Sequence, residues 1–220
     1  MLVTETPAAS PRRRRRWPWI LGGVLVVLLA VIAAVALPIV LHAPQGSSGQ
    51  GRVPAGEFPT EVTATGDDDR TRTLSVTSDS GDPLDLSAVS AGNRLVVTGS
   101  GYDGERGIYV AVCAVPDELD TKPGPCLGGV GSQDEQQFEE GVVQYAPSNW
   151  INETWAWRLF GSRSYDDNEA GTFTAYIELP PVTDGKVDCA AVQCGLYTRN
   201  DHTAASDRVQ DLYVPLRWAD

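Results

Sequence analysis

The sequence predicts an all-β antiparallel sandwich carried behind one N-terminal transmembrane helix. Three observations predict it: an uncharged apolar run of 22 residues behind five consecutive arginines, a period-two alternation of apolar and polar residues over much of the remainder, and four cysteines in two close pairs. At 220 residues the chain has room for one compact domain plus an anchor, but not for two ordinary domains and a span.

From Ile20 to Leu41 the chain is rich in Val, Leu, Ile and Ala, interrupted only by Gly22, Gly23 and Pro38. At about 1.5 Å per residue this makes about 33 Å of helix, enough to cross a hydrocarbon core about 30 Å thick. A cleaved signal peptide has a shorter apolar region, about 7 to 15 residues, ending in an A-x-A-like site. Here Leu41 is bulky three places before a cut after Ala43, and Pro44 would follow, so an uncleaved signal-anchor is expected. Arg12, Arg13, Arg14, Arg15 and Arg16 abut the run on one side and only Arg52 lies near it on the other, which keeps the N-terminus cytoplasmic and exports the rest. Trp17 and Trp19 fall at headgroup depth, and each arginine can add about 1 kcal/mol on anionic lipid. The expected organisation is a basic cytoplasmic tail (1–19), a transmembrane helix in the cell membrane (20–41), a flexible linker poor in apolar residues (42–60) and an extracellular β domain (61–220).

Charge separates the two ends. The chain has 17 Lys+Arg against 29 Asp+Glu; five of the cations and Glu5 precede the apolar run, leaving 12 against 28 beyond it, a net charge near −16. Such a domain repels phosphate backbones, so no nucleic acid partner is expected.

Within the domain, Phe173, Ala175, Ile177 and Leu179 point one way and Thr172, Thr174, Tyr176 and Glu178 the other, a half-buried strand. Leu212, Val214, Leu216 and Trp218 repeat the pattern. Arg94 to Gly99 and Ile108 to Val115 are apolar on both faces, as central strands covered on two sides would be. Thr73 to Thr77, Glu139 to Ala146 and Gln193 to Thr198 are further candidates, and seven or more short strands at this spacing indicate a sandwich. Asp67-Asp68-Asp69 matches no calcium-loop spacing and reads as a solvated turn; Asp166-Asp167-Asn168-Glu169 reads as a hairpin turn.

Cys113 and Cys126 form one close pair and Cys189 and Cys194 the other. Four cysteines allow three connectivities, and nearest-neighbour pairing is expected because each bridge would close one strand-flanked loop, adding about 3 and about 2 kcal/mol. Spacings of C-x12-C and C-x4-C with only His202 nearby disfavour zinc, so no metal site is expected. An exported domain meets an oxidising compartment, in keeping with disulfides.

The run Leu95-Val96-Val97-Thr98-Gly99-Ser100-Gly101, then Gly107-Ile108-Tyr109-Val110-Ala111-Val112-Cys113-Ala114, then Ala170-Gly171-Thr172-Phe173-Thr174-Ala175, and finally Val187-Asp188-Cys189 with Cys194-Gly195-Leu196, resembles the neocarzinostatin family of actinobacterial carriers of enediyne chromophores. The likeness covers about Ser87 to Leu216. It implies an immunoglobulin-like β-sandwich of seven strands, with both disulfides in loops at the binding end. Two departures bear on function. Leu179 reaches Cys189 through only residues 180–186 and their neighbours, where the family has a bulky hairpin walling its cleft, and residues 127–170 form a long insertion. Chromophore binding and DNA cleavage are therefore not carried over.

Trp150, Trp155 and Trp157 concentrate three large rings that can be either core or ligand contact. Residues 197–208 are dense in polar groups. Arg199 and Arg208 can pair with Asp201 and Asp207 to hold a loop, or Tyr197 and His202 can bind haem or another planar molecule. With no G-x-S-x-G, H-E-x-x-H or phosphate loop, no enzyme activity and no resident cofactor are expected. The expectation is a membrane-anchored, extracytoplasmic binding or interaction module of the cell envelope, its partner an unknown protein, glycan or small molecule besides the membrane lipid around the helix. The alternative is a carrier that sequesters a planar aromatic ligand.

Overall fold

A computed structural model describes residues 17–80, 82, 84–129 and 143–219. Arg12 to Arg16 and residues 139–142 of one expected strand lie outside them. The chain divides into two units, residues 1–41 and 42–220. The first contains α1, Trp17–Val40, whose uncharged segment Trp17–Leu37 is long and apolar enough to cross a membrane. The helix begins three residues before the expected start. Pro18 is tolerated there because the first turn of a helix has no intrahelical partner for its N–H groups.

In the second unit, the described residues form eight strands: β1 (Glu61–Thr65), β2 (Thr71–Ser78), β3 (Arg94–Ser100), β4 (Ile108–Ala114), β5 (Ser148–Ile151), β6 (Phe173–Glu178), β7 (Cys194–Asn200) and β8 (Tyr213–Leu216). One turn of helix, α2 (Trp155–Arg158), follows β5. The strands make two antiparallel sheets, ordered β1-β2-β3-β6 and β5-β4-β7-β8. Strands β2 to β8 follow the immunoglobulin-like order, and β1 adds an edge strand beyond the seven expected. The disulfides join Cys113 to Cys126 and Cys189 to Cys194.

Alternation decides what fills the core. Phe173, Ala175 and Ile177 of β6 point inward, as do Leu95 and Val97 of β3 and Ile108, Val110 and Val112 of β4. The expectation that β3 is covered on both faces is wrong. Arg94 and Thr98 are exposed and Val96 is half-buried, because no third layer lies over that sheet. Strands β4, β7 and β8 are buried on both faces. Of the expected strand 139–146, the described residues 143–147 make a single bridge, Ala146 to Ile177.

Part of the cover on β8 comes from residues expected to be a flexible linker. Gln50 brackets Tyr213 through two hydrogen bonds: its Nε2 donates to the Tyr213 carbonyl at 2.8 Å and its Oε1 accepts from the Tyr213 N–H at 2.7 Å. The Val53 N–H donates to the Tyr213 hydroxyl, the Ser47 N–H to Asp67 Oδ2, and the Arg208 N–H to the Gly46 carbonyl. The buried His42 ring meets the buried Asp207 carboxylate at 3.0 Å. Apolar content did not reveal this strap because most of its contacts are hydrogen bonds to backbone groups. Nor is the Asp67-Asp68-Asp69 turn merely solvated, since Asp68 pairs with the fully buried Arg72 and Asp67 holds Ser47.

Gly99 lies directly opposite Phe173 across the β3–β6 pair. A Cβ there would lie 2.1 Å from the Phe173 ring, which is itself edge-packed on Tyr102 and Tyr165. Gly99→Ala should therefore destabilise the domain by about 1–3 kcal/mol, the ordinary cost of overpacking. Denaturant unfolding of the full chain tests this, and an unchanged midpoint would show that the ring has room to move.

Candidate functional site

The outer face of the sheet β5-β4-β7-β8 is laid out by strand register in cross-strand rows. Trp150, Tyr109 and Arg199 form one row, Ser148, Ala111, Tyr197 and Tyr213 the next, and Cys113, Gly195 and Pro215 a third. The small side chains of Ser148 and Ala111 lie between larger neighbours, so the sheet surface dips there. The loop from Cys113 to Cys126 lies beside the dip, held by its disulfide and by the bonds Ala114 N–H to Pro125 O and Gly124 N–H to Ala114 O. The result is a solvent-open cleft of about 480 Å³ lined by Tyr109, Ala111, Ser148 and Arg199 from the sheet, residues 122–126 and 129 of the loop region, and Lys186. Its size suits a small organic ligand.

The first row continues into an aromatic cluster. Tyr109 lies 5.9 Å from Trp150, ring centre to ring centre, and Trp150 lies 5.8 Å from Trp157 of α2. His202 packs edge-on against both tryptophans, and its Nδ1 meets the Tyr109 hydroxyl at 3.0 Å. Asp201, fully buried, organises the group. Its Oδ2 accepts from Trp150 Nε1 and from Asn152 Nδ2, both at 2.8 Å, and its Oδ1 from the Thr203 N–H and hydroxyl. Only glycine fits at 107, since a Cβ there would lie 1.9 Å from that carboxylate. The Arg199 guanidinium lies over the Tyr109 ring at 5.6 Å, and Nη1 donates a long bond to the Pro123 carbonyl at 3.4 Å. Burial, then the Asp201 charge, raises the Tyr109 pKa, and burial lowers that of Arg199.

Of the residues expected to bind ligand, the structure brings together Trp150, Trp157 and His202. Trp155 does not join them. The segment turns helical at Thr154, which sets residues 155 and 157 on different sides of the turn, and Trp155 is 74% exposed beside Leu159 and Phe160. Tyr197 is buried in a separate stack on Tyr213 at 5.0 Å, so it and His202 do not form one ligand set for haem. The expected ion pairs also differ. Arg208 pairs with Asp211, Asp207 takes His42, and Arg199 has no ion pair among the described residues. Tyr109, Ala111, Lys122, Lys186 and Arg199 were not singled out as a binding set. The available signal was the second face of the Ile108 to Val115 alternation, together with the fact that Lys122 and Lys186 are the only lysines in the sequence.

A second groove, of about 790 Å³, runs past Phe58, Val182, Trp218 and the second disulfide. Its cation, Arg217, is engaged by the Phe58 ring and the Ser87 carbonyl, so that groove offers no unengaged cation, though Glu57, Gln193 and the unpartnered Trp218 Nε1 also line it.

Asp211 supplies a pH handle. Burial pushes its carboxyl from 3.8 up to about 7 against the pull of Arg208, and its Oδ1 finds no donor. With the folded value above the unfolded one, the folded state holds the extra proton between those two values, and this group's contribution to stability falls as pH rises through that window. Between pH 5 and pH 7, Asp211→Asn should gain on the wild type by up to about 1.4 kcal/mol per pH unit in denaturant unfolding. A pH-independent difference would show that Asp211 stays ionised throughout.

No protein-family model matches the chain, and no curated protein matches it by sequence. Among solved structures it is similar to macromomycin, with 16% identity and a TM-score of 0.35 over 66% of this chain and 99% of that one.

Proposed function

We propose that this chain is a membrane-anchored extracytoplasmic binding module of the cell envelope, whose domain takes a small, flat organic molecule in the cleft between the outer sheet face and the Cys113–Cys126 loop. The observation that carries the reading is the dip at Ser148 and Ala111, bordered by Tyr109 and the disulfide-closed loop. The location rests on the uncharged helix, the arginines ahead of it and the paired cysteines beyond it. On the sequence motifs, the domain is a membrane-anchored relative of the neocarzinostatin-type sandwiches. The short turn across residues 180–188 leaves the cleft lower-walled than theirs.

Two experiments test this. Ala111→Phe fills the dip without entering the core between the sheets. In equilibrium dialysis of the full chain in nonionic detergent against a panel of planar aromatics, it should weaken the best binder by about tenfold or more, at a cost of about 1–3 kcal/mol in denaturant unfolding because Ala111 is only 6% exposed, with far-UV circular dichroism checking that the variant is folded. No binder to the wild-type protein, or equal binding by the variant, removes the small-molecule reading and leaves a protein or glycan partner. For topology, protease added outside intact spheroplasts should digest residues 42–220 and leave α1 protected. A C-terminus that is cut only after lysis overturns the orientation.

A further inference from the structure

We infer that the cleft selects a small organic anion, an aromatic body lying on Ala111 and beside Tyr109 with its acidic group met by Lys122, Lys186 and Arg199. The inference rests on the small-molecule reading above and adds the ligand's charge.

The argument begins with scarcity. Beyond the helix the chain carries 12 cationic side chains against 28 carboxylates, and just two of the cations are lysines. Both lysines line this one cleft, together with an arginine. Five other arginines of the domain sit on carboxylates, in the pairs closed by Asp68, Glu178, Asp103, Glu153 and Asp211. Among the described residues none of the three cleft cations is in such a pair. Arg52, Arg70, Arg163 and Arg217 also lie outside such pairs but do not line this cleft, so three cations without a carboxylate partner meet at one concavity and raise its potential relative to the acidic surface around it.

Asp117, Glu118 and Asp120 share the loop with Lys122 and are exposed, while two other nearby acids are already engaged. Asp184 stands beside Lys186, yet its oxygens accept from the backbone N–H groups of Lys186, Val187 and Gly128. Asp211 acts on Arg199 from a distance, but its Oδ2 is bonded to Arg208. Arg199 itself is under-satisfied: its Nε is buried without a hydrogen-bond partner, and among the described residues its one side-chain hydrogen bond is the long one to the Pro123 carbonyl. A buried guanidinium N–H without an acceptor is costly, and an anion entering the cleft can supply one with charge assistance. The opposite face of the requirement is apolar. Ala111, Pro123, Pro125 and the Cys113–Cys126 disulfide offer no donor to a polar ligand body, and Tyr109 offers a ring edge or face. Three cations and an apolar surface lining one cleft describe a receptor for an aromatic acid.

The test uses a charge series on one ring system: 2-naphthoate, 2-naphthamide and 2-naphthylmethylammonium, with decanoate as a flexible, lipid-like anion. Each is titrated into the full-length chain in nonionic detergent with detergent-only blanks. Affinity is read by calorimetry, and occupancy by protection of Lys122 and Lys186 from acetylation, measured by mass spectrometry. Naphthoate should bind at least about tenfold tighter than naphthamide, with the ammonium weakest, and the gap should narrow as salt is raised. Lys122→Gln and Lys186→Gln should each weaken naphthoate about three- to tenfold and leave naphthamide unchanged. Equal affinity for acid and amide with both lysines protected keeps the small-molecule reading and overturns the charge inference. Naphthoate affinity that survives both lysine variants, or tighter binding of the ammonium, also overturns it. Decanoate binding tighter than naphthoate overturns the aromatic half. No binding and no protection by any of the four removes both readings together.

Discussion

Strand β4 sets the register on which core and cleft both depend. Its even-numbered residues, Ile108, Val110 and Val112, fill the space between the sheets, and its odd-numbered residues face the other way, Tyr109 and Ala111 lining the cleft and Cys113 tying its bordering loop. A slip of one residue would put Tyr109 and Cys113 into the core and three aliphatic side chains onto the outer surface. The core therefore enforces the geometry of the site. As long as Ile108, Val110 and Val112 are buried, Ala111 must sit between Ser148 and Tyr197, and Tyr109 between Trp150 and Arg199. The disulfide reinforces this arrangement from outside, since Cys113 belongs to the same face and fixes where the bordering loop departs from and returns to the strand.

The end of the sandwich near the β7–β8 loop is held by a polar network rather than by hydrocarbon. The Thr198 hydroxyl donates to the Gln210 carbonyl at 2.8 Å and meets the Tyr102 hydroxyl at 3.0 Å, while Gln210 bonds Asn200 and the Asp103 N–H. Asp201 binds Trp150 and Asn152, which ties β5 and the start of α2 to the end of β7. Buried polar groups of this kind are costly when any one partner is lost, which makes the loop stiff. Stiffness here serves the cleft, because Arg199 and the aromatic cluster hang on the same segment.

How much of this could be read from the sequence depended on the kind of force involved. Hydrophobic alternation located β6 and the two-sided burial of β4, and the close cysteine spacing pointed to the disulfides that form. Strands β1 and β5 were missed because they are short and rich in Thr, Ser and Asn, so their apolar signal is weak. The strap at residues 42–53 reads as a free linker because backbone N–H and C=O groups look the same in every sequence, whatever they bond to. Trp155 and Trp157, two apart, would share a face on a strand, but the turn of helix after Thr154 separates them. The cleft cations were hidden for a different reason. Lys122, Lys186 and Arg199 are far apart in the chain, and only the pairing of β4 with β7 and the closure of two loops bring them to one surface.

The low turn at residues 180–188, closed by the Thr183 to Asp188 bridge, has a kinetic meaning. A receptor walled on every side must breathe to load or release its cargo, and so keeps it for long periods. With this flank left short, an occupant can come and go while every strand stays paired. If the proposed ligand binds there, exchange without strand opening favours continual sampling over long retention.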